Sequence, residues 1–284
     1  MRHLCHPSPR RGAPRTMLLA MLMALLLTGC ANPRLQEARA LAAQAPKLNG
    51  YAELSARYRD TYQREQPYLS PAADVRERAT DAQRHAAYRD LVALHDAAVA
   101  YLRTLGALAG GERFDPGDQI KEMAKGIKAW PDTGLTDRYV NAYAGLARVL
   151  ARGVSGRVQD RAVQDMLRDG YAPLRDTLDA MNDVLRYYDK NHDNEQAIVL
   201  GMLETEIPFA DRPQDRLLAA LAKAHRQDKQ HEYRLLGLRH TLAAQNVRDI
   251  RARHEALYRM LDPLPDAGPP PAARVAATLQ GATP

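Results

Sequence analysis

Apolar residues in this 284-residue chain recur at spacings of three and four through nearly every segment. No stretch sustains the every-second-residue alternation of a half-buried strand. Tyr88, Leu91, His95, Ala98, Leu102 and Leu105 form one such seam, and Leu174, Leu178, Met181, Leu185 and Tyr188 form another at steps of 4, 3, 4 and 3. A chain patterned in this way buries one stripe of each helix against its neighbours. The expected class is therefore all-α, a helical bundle of roughly six to eight helices. No repeat of 20 to 50 residues is visible, which argues against a solenoid.

Proline, glycine and capping residues divide the pattern. A short helix is expected from Pro33 to Ala45, and a second from Asn49 to Gln66, stopped by Pro67. Ser70-Pro71 reads as an N-cap followed by proline in the first turn, opening a long helix that Gly110-Gly111 closes. Asp115-Pro116 repeats that signal for a helix toward Trp130, and another is expected from Thr136 to Arg152. A longer element carrying Gly170 and Pro173 follows Ser155-Gly156. A helix over 193–206 and a last helical region ending near Leu261 complete the set. The segment Pro263–Pro284 holds six prolines and few large apolar residues, the composition of a mobile tail. The expected organisation is a cleaved segment over 1–29, a tether over 30–48, a bundle over 49–262 with a hinge near 153–156, and a Pro-rich tail over 263–284.

The N-terminus has a different character. Arg2, Arg10, Arg11 and Arg15 precede the eleven-residue apolar run Met17–Leu27, and Thr28 and Gly29 then lead to Cys30. Eleven residues are too few for a comfortable bilayer span, which needs about 20, but they match a signal-peptide core. The basic stretch supplies its positive flank, so translation is expected to begin upstream of Met17. Leu27-Thr28-Gly29-Cys30 resembles the lipobox of bacterial lipoproteins, and the resemblance covers residues 1–32 only.

It implies cleavage between Gly29 and Cys30, a thioether-linked diacylglycerol on the Cys30 sulfur, and a further acyl chain, such as palmitate, on the new amine. Several chains together give stable anchoring where one gives marginal anchoring. Ala31 rather than Asp follows the cysteine. By the same resemblance this favours the outer membrane over the inner membrane, with the body facing the periplasm.

Charge and cysteine content narrow the function further. The formal charge of +6 comes from 40 Lys and Arg against 34 Asp and Glu. Four of the 40 lie before the apolar run, and without them 36 oppose 34, so the mature chain carries only about +2. A nucleic-acid partner is not expected. Cys5 leaves with the signal and Cys30 is the lipidation site, so no disulfide framework remains.

Three constellations carry chemistry-bearing residues. Asp189, Asn191 and Asp193 in YYDKNHDNE have the alternate spacing of a calcium loop, but position 12 of such a loop falls on Leu200, which cannot ligate. The stretch reads as a turn that caps the following helix. On the last helix, a continuous seam from Leu218 to Leu261 becomes polar at His225, Lys229 and Glu232 and meets a further histidine at His240. Buried, these four would form a polar pocket for a small ligand or metal, and exposed, a solvated helix face. The third constellation is Tyr51, Tyr58 and Tyr62 with Arg57, Arg59 and Arg64 interleaved, which reads as core packing or as a partner surface. The acidic row Asp176, Asp179 and Asp183 reads as a solvated face. No Gly-rich phosphate loop, G-x-S-x-G elbow or Cys/His metal spacing is present.

The leading expectation is a lipid-anchored envelope lipoprotein that acts by binding, as a scaffold or accessory protein with an envelope protein partner and no cofactor. The alternative is a bundle with a ligand or metal pocket on the last helix, and a hydrolase comes third.

Overall fold

The computed structural model describes residues 32–111, 115–153, 159–210 and 212–261. Among them the chain forms eight α-helices: α1 (Pro33–Ala42), α2 (Asn49–Arg59), α3 (Thr61–Glu65), α4 (Pro71–Gly110), α5 (Gly117–Ala124), α6 (Asp137–Gly153), α7 (Gln159–Glu206) and α8 (Arg216–Arg259). Short 3-10 turns join several of these. The described residues contain no strand, only an isolated antiparallel bridge between Trp130 and Leu135. The all-α bundle read from the sequence is the fold.

α4 is the central helix. Ser70 Oγ accepts a hydrogen bond from the Ala73 amide at its start, and Gly111 ends it in the left-handed conformation at φ 72° that glycine adopts without strain. Ala87, Ala97, Ala98, Ala100 and Ala109 are buried along it, so neighbouring helices approach closely over small side chains. By length and composition α4 could cross a membrane, yet 56% of its most apolar window is buried inside the bundle. Asp90 on this helix accepts hydrogen bonds from the Trp130 indole (2.9 Å) and the Lys128 amide (3.3 Å), which pins the segment after α5 to the bundle.

α7 and α8 form an antiparallel hairpin. Arg251 reaches Asp179 at 2.7 Å, and Tyr171 stacks on Tyr258 with ring centroids 4.0 Å apart. α6 packs on α7, and α1 and α2 lie across α4 and α8. At Gly170 α7 passes so close to α4 that an added Cβ would overlap the Tyr101 ring. One contiguous core runs from Ala38 to Leu261, and a satellite cluster of Val199, Leu203 and Tyr233 sits near the α7–α8 turn.

The structure corrects several boundaries. Pro33–Leu48 is no tether: Ala38, Leu41, Ala45 and Leu48 are core residues, so the bundle starts at α1. The expected single helix over 49–66 breaks at Asp60 (φ −93°, ψ 19°) into α2 and α3. The segment 187–195 is not a turn but the middle of α7, which runs unbroken through Pro173 and on to Glu206. Its seam continues from Tyr188 through His192, Glu195, Val199 and Leu203, all buried. The acidic row is half-buried and paired: Asp176 with Arg138, Asp179 with Arg251, and Asp183 with the Tyr139 hydroxyl. The signal segment with Gly29 and Cys30, the tail from 263, and most of the expected hinge over 153–156 lie outside the described residues. The helices on either side of that hinge share the one core.

Candidate functional site

The polar constellation with the most organised geometry lies where α2, α3, α7 and α8 meet, and Glu195 is its centre. This carboxylate is 1% exposed. Arg64 grips it at two points, Nε to Oε1 at 2.9 Å and Nη2 to Oε2 at 2.7 Å. Arg57 Nη2 donates to Oε1 at 2.9 Å and also to Glu232 Oε1 at 3.1 Å, and Lys229 Nζ donates to Glu232 Oε2 at 2.8 Å. The Tyr233 hydroxyl reaches Glu195 Oε1 at 3.3 Å.

The break at Asp60 is what aims Arg64. Ending α2 frees its last carbonyls, and Arg64 caps two of them, donating from Nη2 to Arg57 O at 2.8 Å and from Nη1 to Asp60 O at 2.9 Å. One guanidinium thus satisfies a helix end and a buried anion together, which is what a planar five-donor fork allows.

His192 and His240 stack beside this network with ring centroids 5.3 Å apart. Burial lowers the pKa of both rings, that of His240 to about 4, against smaller raising effects of Glu195 at His192 and of Asp189 at His240. Both are neutral imidazoles near pH 7. Further out, Glu65 is fully buried with neither carboxyl oxygen hydrogen-bonded. Burial first, then the nearby Glu77 carboxylate, pushes it up to about 7 against the opposing pull of Arg84. At the other end of the bundle His254 is 1% exposed, 3.0 Å from the Tyr101 hydroxyl, and held down at about 4 by burial.

The four residues expected to form a pocket on the last helix do not converge. His225 is exposed, with Nε2 2.6 Å from the Tyr68 hydroxyl and its ring parallel to that tyrosine. Lys229 and Glu232 pair with one another. His240 lies fifteen residues beyond His225, roughly 22 Å along one helix at about 1.5 Å per residue. The space lined by His192, His240, Tyr188 and Glu195 amounts to about 10 Å³.

Of the tyrosine face, Tyr51 and Tyr58 are core, while Tyr62 and Arg59 are half-exposed and bonded to neighbouring side chains. Tyr51 is fully buried and donates to Leu91 O at 3.0 Å, and Tyr58 stacks on Tyr188 at 4.8 Å. Tyr62 donates to Asp74 Oδ1 at 2.7 Å. Arg59 pairs with Asp60 and lies over the Tyr88 ring at 4.4 Å. All four side chains are committed within the molecule.

Asp189, Asn191 and Asp193 stand on a continuous helix, where residues two apart point about 200° away from each other. Asn191 donates to Thr61 Oγ1 at 3.0 Å. Among the described residues no group of three His, Cys, Asp or Glu side chains is placed to hold a metal ion.

Glu195, Arg57 and Arg64 were missed as a unit in the sequence. Arg57 and Arg64 are legible only as members of the tyrosine–arginine face and Glu195 only as a residue on the α7 seam, seven after Tyr188, and nothing local joins the two. Open grooves lie elsewhere, among them two larger ones. One of about 400 Å³ between α4, α5 and α6 is lined by Arg89, Asp96, Arg103, Glu122 and Tyr143, and one of about 450 Å³ between α2 and α8 is lined by Gly50, Glu53, Arg239 and Leu242. The Glu195 network has the chemistry of an internal clasp: a buried carboxylate gripped by two guanidiniums ties four helices together. No family model, curated protein or solved structure matches this chain.

Proposed function

We propose that this chain is an envelope lipoprotein, acylated at Cys30, whose helical body acts by binding a protein partner as a scaffold or accessory subunit at the periplasmic face of the outer membrane. The observation that carries the reading is the short distance from the lipobox cysteine to the folded body. α1 begins at Pro33, and Asn32 already donates to Asp160 Oδ1 at 2.7 Å at the start of α7. A lipid on Cys30 would therefore hold one end of the bundle against the bilayer. α7 extends roughly 70 Å from that end at about 1.5 Å per residue. Anchoring confines the body to a surface layer and raises its effective concentration for partners there.

The ligand-pocket alternative has less support. The space beside His192 and His240 is about 10 Å³, which is about the room one water needs.

The test is fractionation of cells carrying the full chain or its Cys30→Ser variant. The reading expects the native chain in the membrane fraction and the variant in soluble extract. Retention of the variant on the membrane overturns lipid anchoring. Crosslinking of the native chain in envelope extracts, read by mass spectrometry, tests the binding role, and a reproducible protein partner is the expected result.

A further inference from the structure

α8 carries a second stripe on the face turned away from the bundle. Leu217, Leu221, Ala224, Asp228, His231, Leu235, Leu238 and Leu242 succeed one another at steps of 4, 3, 4, 3, 4, 3 and 4, the spacing of a coiled-coil seam. All eight are exposed, and the leucines strongly so: Leu217 72%, Leu221 60%, Leu235 45%, Leu238 63% and Leu242 57%. Isolated surface leucines need no explanation, but five on one heptad seam over roughly 38 Å of helix do.

The stripe has a two-fold pattern. Reflected about the midpoint between Lys229 and Gln230, Leu217 exchanges with Leu242, Leu221 with Leu238, Ala224 with Leu235, and Asp228 with His231. We propose that two copies of this chain pair through this stripe as an antiparallel coiled coil, with the two-fold axis crossing α8 between Lys229 and Gln230. Each layer is then complementary. The ends meet leucine to leucine, and Ala224 makes room for Leu235 of the partner subunit. At the centre Asp228 faces His231 of the partner subunit, a donor opposite a carboxylate.

Parallel in-register pairing would instead set Asp228 against its own copy, and like charges in a seam disfavour that arrangement. Neither Asp228 nor His231 makes a hydrogen bond or ion pair among the described residues, so both are free for this contact. The groove of about 450 Å³ beside Leu242 lies where the first turn of the second α8 would arrive.

The test uses the full chain in mild detergent. Sedimentation is expected to give a reversible dimer. His231→Asp, which sets two carboxylates face to face, is expected to weaken it at least tenfold, and Asp228→His combined with His231→Asp to restore it. Cysteine pairing then fixes the direction, measured above the background of the native chain. Leu221→Cys and Leu238→Cys lie 17 residues apart in one chain, roughly 25 Å, too far to bridge within it. Together they should give a disulfide-linked dimer on oxidation, while each alone should not. A chain that sediments as a monomer at all concentrations overturns the proposal. So does equal crosslinking by the single variants, which would mean parallel or unspecific contact. All these positions are exposed, so circular dichroism of each variant should match the native chain.

Discussion

Arg64 and Glu195 lie 131 positions apart in the chain and meet in a two-point ion pair, with 2.9 and 2.7 Å between donors and acceptors. The carboxylate is buried and the guanidinium nearly so, at 2% and 19% side-chain exposure. Removing one partner of such a pair leaves a charge without compensation in a poorly solvated place, which costs far more than the pair contributes net. Arg64→Ala should lower the unfolding free energy by about 3 kcal/mol, and Arg64→Lys should recover only part of it because an ammonium cannot make both bonds. Urea unfolding of both variants checks this. A loss below about 1 kcal/mol would show the clasp to be solvated.

Glu65 makes stability fall with rising pH. Its carboxyl is pushed from 4.5 up to about 7 by burial and by Glu77. The folded state therefore holds a proton that the unfolded chain has released between those values, and stability is lost as pH rises through that window. Glu65→Gln should gain about 1 to 3 kcal/mol over the native chain at pH 8 and little at pH 4. An equal gain at both would assign the effect to packing.

His254 and His240 act in the opposite sense. Both are held near 4 by burial, below the 6.5 of an ordinary histidine. Their contribution is fully present above about pH 6.5 and is lost as pH falls toward 4, because the unfolded chain takes up protons first. His254→Gln should flatten the acid limb of the stability curve by up to about 1.4 kcal/mol per pH unit. An unchanged slope would mean that the ring protonates in place.

Two glycines of α7 should respond differently to the same change. A methyl group at Gly170 overlaps the Tyr101 ring, whereas nothing lies within 4 Å of one at Gly201. Gly170→Ala should cost about 2 kcal/mol. Gly201→Ala should stabilise by about 0.5 to 1 kcal/mol through helix propensity. Thermal melts of the two variants make the comparison, and destabilisation by both would place a neighbour at Gly201.

The second half of α8 was legible because Leu236, His240, Ala243, Val247, Ile250, His254 and Leu257 keep the three-and-four rhythm, and all seven are buried. Its first half keeps a rhythm too, but Leu218 is 60% exposed. Period alone does not say whether a second helix is there to be met. The continuity of α7 was hidden for the converse reason. His192 and Glu195 look like an interruption until Arg57 and Arg64, far away in sequence, supply the charges that let Glu195 be buried. Tyr58 was ambiguous on its own helix, and only Tyr188, on another, settles that it is core. The Glu195 clasp and the Tyr58 packing both depend on long-range pairings that local spacing does not encode.

α8 begins at Arg216, yet its first buried residue is Tyr233, seventeen positions later. Mechanically the first half is an arm of roughly 25 Å, braced along its length by the Tyr68 hydroxyl at His225 and by Glu204 at Arg226, and fixed at Tyr233 by Glu195. A load taken up along Leu217–Gln230 is shared among these points. Part of any force applied to the arm therefore reaches the Glu195 clasp, where charge ties four helices together.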